Sequence, residues 1–92
     1  MPPFSPLRRS TMNSKIKQTA TIQIGKNIRA IRKEKNIGQT ELVGLLQLQG
    51  IDITRESLVK IERGIQHIYA FQLKGIRDAL ETTYDELLKE TE

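Results

Sequence analysis

Arg55, Glu56, Ser57 and Lys60 fall together in the stretch QTELVGLLQLQGIDITRESLVKIERG, residues 39–64. These residue types hydrogen-bond to base edges and phosphates more readily than they make or break covalent bonds. The planar fork of arginine donates two hydrogen bonds at once to O6 and N7 of guanine, a pairing that discriminates by about 1–3 kcal/mol. Arg55 is therefore the leading specificity candidate. Glu56 could accept from the amino group of cytosine; because a carboxylate near phosphates is repelled, it could instead orient Arg55 or Lys60. Free amides at helix starts attract phosphate, which suits Gln39 and Thr54. Catalytic material is scarce. His67 is the single histidine, cysteine is absent, and the sequence holds neither a glycine-rich phosphate loop nor ligands at metal spacing. His67 reads as a surface residue or a phosphate contact rather than a base or ligand. The chain is expected not to be an enzyme and to need no metal, cofactor or small-molecule ligand.

The elements that must position these side chains are helical. A chain of 92 residues without cysteine or tryptophan builds one small core without disulfides, and thiol-free composition fits a reducing compartment. No apolar run reaches the roughly 18 residues needed to span a membrane, and Pro2, Pro3, Pro6, Arg8 and Arg9 interrupt any signal-type apolar core. A cytoplasmic protein is the expectation. The formal charge of +4 is unevenly spread: residues 1–38 hold nine Lys or Arg against one acid, and residues 39–92 hold six against ten. One side of the molecule should therefore face polyanions.

Residues 1–20, rich in Pro, Ser, Thr and cations, lack apolar period and are expected to form a flexible, disordered basic arm. Such an arm could lie on phosphates, enter the minor groove, or have no role. Met12, followed by NSKIKQ, resembles a translation start, with residues 1–11 as upstream sequence. The folded domain is expected over residues 21–92. Ile24, Ile28 and Ile31 share a helical face from Thr21 onward, and that helix should end near Lys35, with Asn36 left-handed and Ile37 packed back on the core. A second helix should follow Gly38, with Glu41 in its first turn, and run to about Gln49. Its apolar residues Leu42, Val43, Leu45, Leu46 and Leu48 cover more than one face. That implies either burial against several neighbours or an exposed apolar patch. Gly44 within it suggests the close approach of another backbone.

Gly50 is the stop signal, Ile51 and Ile53 offer one or two plugs for the core, and Thr54 is the natural cap of a third helix ending at Gly64. In that helix only Leu58 and Ile61 should point inward, with Val59 at the edge. Phe71, Leu73, Ile76, Ala79 and Leu80 mark a fourth helix. Thr83 and Glu86 form the T-x-x-E start of a fifth, which carries Tyr84, Leu87 and Leu88. The fold class expected is all-α, five helices in one domain.

The segments GKNIRAIRKEKNIGQTELVGLL, ITRESLVKIERG and LKGIRDALETTYDELL together resemble the Xre/Cro-type, or lambda-repressor-like, helix-turn-helix family over about residues 24–88. The resemblance implies that Gln39 contacts a DNA phosphate, and that Thr54, Arg55, Glu56 and Ser57 enter the major groove with Lys60 one turn on. It further implies that Arg63 and the loop after Gly64 approach the backbone, and that Arg32 and Glu62 form a structural ion pair holding the reading helix. The chain departs from the family's common pattern in four places. It has roughly five extra residues between Leu46 and Ile53, about one more helical turn. Gly38 stands in place of Ser or Thr, Val43 in place of a small residue, and Tyr69 in place of a polar cap. The long connection leaves the angle between the second and third helices open.

The resulting expectation is a sequence-specific, DNA-binding transcriptional regulator, a repressor by preference. It would be cytoplasmic and nucleoid-associated, with double-stranded DNA as partner and no membrane association. One reading helix covers only a few base pairs, so a homodimer is expected. Tyr84, Leu87 and Leu88 are its candidate surface unless they pack on the first and fourth helices. The alternative is the same fold used as a protein-interaction module that binds no DNA.

Overall fold

The computed structural model describes residues 18–90 of the chain. Among them five helices occur and no strand: α1 (Gln18–Glu34), α2 (Gln39–Leu48), α3 (Arg55–Glu62), α4 (Ala70–Leu80) and α5 (Tyr84–Leu88). The all-α, five-helix expectation holds. The proposed start at Met12 lies outside the described residues, as does the expected arm up to residue 17; residues 18–20 form the opening of α1, three residues earlier than the apolar period suggested.

Four of the helices end in the same way. Asn36, Gly50, Gly64 and Glu81 have φ of 62°, 83°, 76° and 53°. At each, the amide of the left-handed residue reaches back three residues and the next amide reaches back five. Examples are Ile37 N–H to the Arg32 carbonyl at 2.9 Å and Ile65 N–H to the Lys60 carbonyl at 3.0 Å. This motif satisfies the orphan carbonyls of a helix end and turns the chain sharply. Asn and Gly tolerate the conformation; for Glu81 it carries a cost of about 1 kcal/mol or more.

α1 is the hub, with α3, α4 and α5 packed on it, while α2 packs on α3 and α4. Ile24, Ile28 and Ile31 of α1 meet Leu42, Leu46, Leu58, Ile61, Ile76 and Leu80 in one buried core. Ile53 and Ile68, both in connections, are buried there too, and Ile37 and Ile51 pack against it. In α2, Leu42, Val43 and Leu46 are buried, whereas Leu48 is 85% exposed. Burial against several neighbours is the outcome for that helix, which packs on both α3 and α4, with Leu48 left exposed at its end.

Three expectations are corrected. Phe71 is 56% exposed and stacks on Tyr69 at 5.9 Å between ring centres. Gln72 takes the buried place instead, its Oε1 accepting the Tyr69 N–H at 2.9 Å and so capping α4. Gly44 has open space where a Cβ would stand, so no approaching backbone explains it. The start of α5 is capped on one side only: Thr83 Oγ1 accepts the Glu86 N–H at 3.1 Å, and the Glu86 carboxylate bonds Lys89 Nζ instead of reaching back.

Leu87, offered for a dimer surface unless it packed on the other helices, takes the second course and is fully buried. The reason is Asn27, whose Nδ2 donates to the carbonyls of Leu87 at 2.7 Å and Lys89 at 2.8 Å, drawing the end of α5 onto α1. Tyr84 and Leu88 stay exposed. Among the described residues, no helix is long and apolar enough to cross a membrane.

Candidate nucleic-acid interface

With about 100° of rotation per residue, the side chains of α3 divide into two arcs. Leu58, Ile61 and Glu62 fall on one and are buried; Glu56, Lys60 and the following Arg63 fall on the other and are exposed, with Val59 half-buried between them, while Arg55, seven residues before Glu62, stands above the edge of the buried arc and is exposed because it opens the helix. Ser57 sits at the border, half-buried. The exposed side chains of this segment thus include three cations and one acid. Glu56 and Lys60 stand at i, i+4, yet no ion pair joins them, and Arg55, Lys60 and Arg63 have no carboxylate partner among the described residues. The idea that Glu56 orients Arg55 or Lys60 is thus not realised as an ion pair in this state.

The start of α3 is fixed by Thr54, whose backbone is extended and whose Oγ1 accepts the Ser57 N–H at 3.1 Å. A hydroxyl that accepts this bond still has its own hydrogen to donate outward. Thr54 therefore both caps the helix and presents a donor at its tip.

The buried arc is held by charge. Arg32 Nε and Nη2 donate to Glu62 Oε2 at 2.8 Å and Oε1 at 2.9 Å, a fork-to-fork pair with side-chain exposures of 8% and 2%. Arg32 Nη1 also donates to the Ile37 carbonyl at 3.0 Å, tying the same guanidinium to the turn before α2. Such bidentate bonds are short and geometrically specific. The ion pair implied for Arg32 and Glu62 is present. Gln39 joins it, its Nε2 donating to Glu62 Oε1 at 3.1 Å. Gln39 was expected to serve DNA phosphate; here it braces α3, with its second amide hydrogen and its carbonyl oxygen still available.

Two contacts of α3 have no counterpart in the sequence reading. A Cβ on Gly25 of α1 would strike the Ile61 carbonyl oxygen and lie 2.9 Å from that of Glu62, so α1 and the last turn of α3 touch backbone to backbone. The second concerns the long connection before α3. Gln47 Nε2 donates to the Ile53 carbonyl at 3.3 Å, and Gln49 Nε2 to the Gly75 carbonyl on α4 at 3.0 Å. A Cβ on Gly75 would collide with the Ile51 side chain and come within 3.2 Å of Leu46. The extra residues are therefore docked on α4. Glycine within a helix was the available signal at Gly25 and Gly75, and Gly44, which faces open space, carries the same signal without the contact.

The remaining candidates lie elsewhere. Tyr84 and Leu88 are on α5, where the Arg77 guanidinium stands 4.5 Å from the centre of the Tyr84 ring. Hydrogen bonding to Asp78 raises the Arg77 pKa above its ordinary value. His67 is exposed in the loop between α3 and α4. No protein-family model matches the chain, and no curated protein matches it.

Proposed function

We propose that the chain is a sequence-specific DNA-binding transcriptional regulator of the Xre/Cro-type helix-turn-helix design. In this reading it is a repressor that works as a homodimer and inserts the helix from Thr54 to Arg63 into the major groove. The observation that carries the reading is the division of α3. Arg55 at the first turn and Glu56 and Lys60 on the outer arc face solvent without ion-pair partners among the described residues, and the inner arc is immobilised at Glu62 by a buried bidentate pair. A short helix fixed at its C-terminal end, with unsatisfied donors on its exposed side chains, suits base-edge readout. Arg55 reads guanine, Thr54 and Ser57 donate to bases or phosphates, and Arg63 meets the backbone. Tyr84 and Leu88 supply apolar area for the partner subunit.

Selection of bound sites from a random duplex pool tests this. The selected sequences should contain two related half-sites about one helical turn apart. Repeating the selection with Arg55→Ala should relax one position in each half-site, whereas Gln39→Ala should weaken all sites alike. A single half-site would refute the dimer, and an unchanged preference with Arg55→Ala would refute that residue's role.

A second reading, a protein-interaction module, draws on the exposure of Leu48, Ile65 and Phe71. Salt separates the two: binding through phosphate contacts weakens steeply as salt rises. No binding to mixed-sequence DNA at low salt would favour the interaction module.

A further inference from the structure

Behind the reading arc, a groove of about 600 Å³ runs between α1 and the last turn of α3. Its walls carry Lys26, Arg29 and Lys33 of α1 and Arg63 at the end of α3, over a floor of Ala30 and Val59. Lys26, Arg29 and Lys33 are spaced i, i+3 and i+7, so they stand in a row on one face of α1. The acid lining the groove, Glu62, is already bound by both arms of Arg32 and by Gln39. None of the four wall cations has a carboxylate partner among the described residues. Four like charges facing one cleft repel one another, and a bound polyanion relieves that repulsion.

The length of the row indicates which polyanion. Seven residues of helix advance about 10 Å. One strand of duplex DNA carries a charge about every 3.4 Å of axis, so this row spans two or three successive phosphates. A lone orthophosphate would engage one or two of the cations. The groove also shares Gln39 and Arg63 with the candidate interface, so a strand entering it would continue past α3.

We infer that this groove is a phosphate-binding track for the DNA backbone, in which Lys26, Arg29 and Lys33 of α1 hold the strand flanking the reading helix. The inference rests on the DNA-binding reading and adds a non-specific anchor on α1 separate from Arg55.

The test uses the full chain and mixed-sequence duplex DNA, with affinity measured between about 50 and 200 mM salt. In a log–log plot, each of Lys26→Gln, Arg29→Gln and Lys33→Gln should lower the salt slope by about 0.9, and the triple variant by about 2 to 3. Lys74→Gln on α4, outside the groove, should leave the slope unchanged. All of these positions except Arg29 are lysines on exposed surface, and Arg29 is exposed as well, so thermal melting should be preserved. If the wild-type chain binds and the triple variant keeps its slope, the track is refuted and the DNA-binding reading survives. If the wild-type chain binds no DNA at low salt, both fall. Saturable orthophosphate binding that the triple variant abolishes, with an unaltered DNA slope, would assign the groove to a small anion and overturn the backbone track.

Discussion

The two ends of α3 are fastened by different kinds of contact. At its C-terminal end the Arg32 fork and the Gln39 amide grip Glu62, and the α1 backbone at Gly25 touches the carbonyls of Ile61 and Glu62. At its N-terminal end the helix caps itself through Thr54, and the connection before it leans on α4 through Ile51 and Gln49. A buried charge pair and a backbone-to-backbone contact have no slack, because neither can be replaced by a rotamer change. Methyl groups and a single amide can shift by some tenths of an ångström. The C-terminal end is therefore the fixed mount, and the N-terminal end, where Arg55 and Glu56 lie, has the adjustable one.

Substitutions can break this contrast. Arg32→Ala leaves Glu62 buried without its counter-charge and should cost about 3–5 kcal/mol in urea unfolding. Replacing both partners with apolar residues, Arg32→Met with Glu62→Leu, should recover most of that loss. A loss below about 1 kcal/mol for Arg32→Ala would mean that the pair is not what fixes the mount. Next comes Gly25→Ala. Helix propensity alone favours alanine by about 1 kcal/mol, but here its methyl meets backbone oxygen, and separating α1 from α3 should make the net change destabilising by about 1–3 kcal/mol. A Gly25→Ala variant more stable than wild type would show that the seam yields. The smallest effect is expected at the softer end: Ile51→Ala, at a half-buried site, should cost about 1 kcal/mol, roughly half or less of a fully buried truncation. A cost equal to that of Arg32→Ala would erase the contrast between the two ends.

Much of the fold was legible because short-range rules govern it. The spacing of Ile24, Ile28 and Ile31 marks a core face wherever the partner lies, and Asn36, Gly50 and Gly64 mark helix ends through their tolerance of positive φ. Thr54 followed by two polar residues and Ser57 was enough to place a cap. The illegible features depend on what stands across from a residue. Phe71 and Gln72 are adjacent, and periodicity cannot decide which turns inward when capping the Tyr69 amide favours burying the polar one. Gly25, Gly44 and Gly75 look alike in sequence, yet two lie against neighbouring elements and one faces open space. Leu87 resembled a free apolar residue because the helix that its own helix packs on, α1, lies some sixty positions upstream, where Asn27 bonds the Leu87 carbonyl. Within the candidate site, the exposure of Arg55, Glu56 and Lys60 followed from the local stretch, whereas the bracing role of Gln39 required the approach of Glu62 in three dimensions.

The Asn27 bonds also bear on how the domain comes into being during synthesis. Its two acceptors lie 60 and 62 residues downstream. The amide on α1 is made early and remains hydrated while α2, α3 and α4 are added, since the carbonyls that will receive it do not yet exist. Closing so long a loop costs entropy that only the finished contact repays. The first helix and the last are thus joined late, and the chain cannot close its circle until Lys89 has been added.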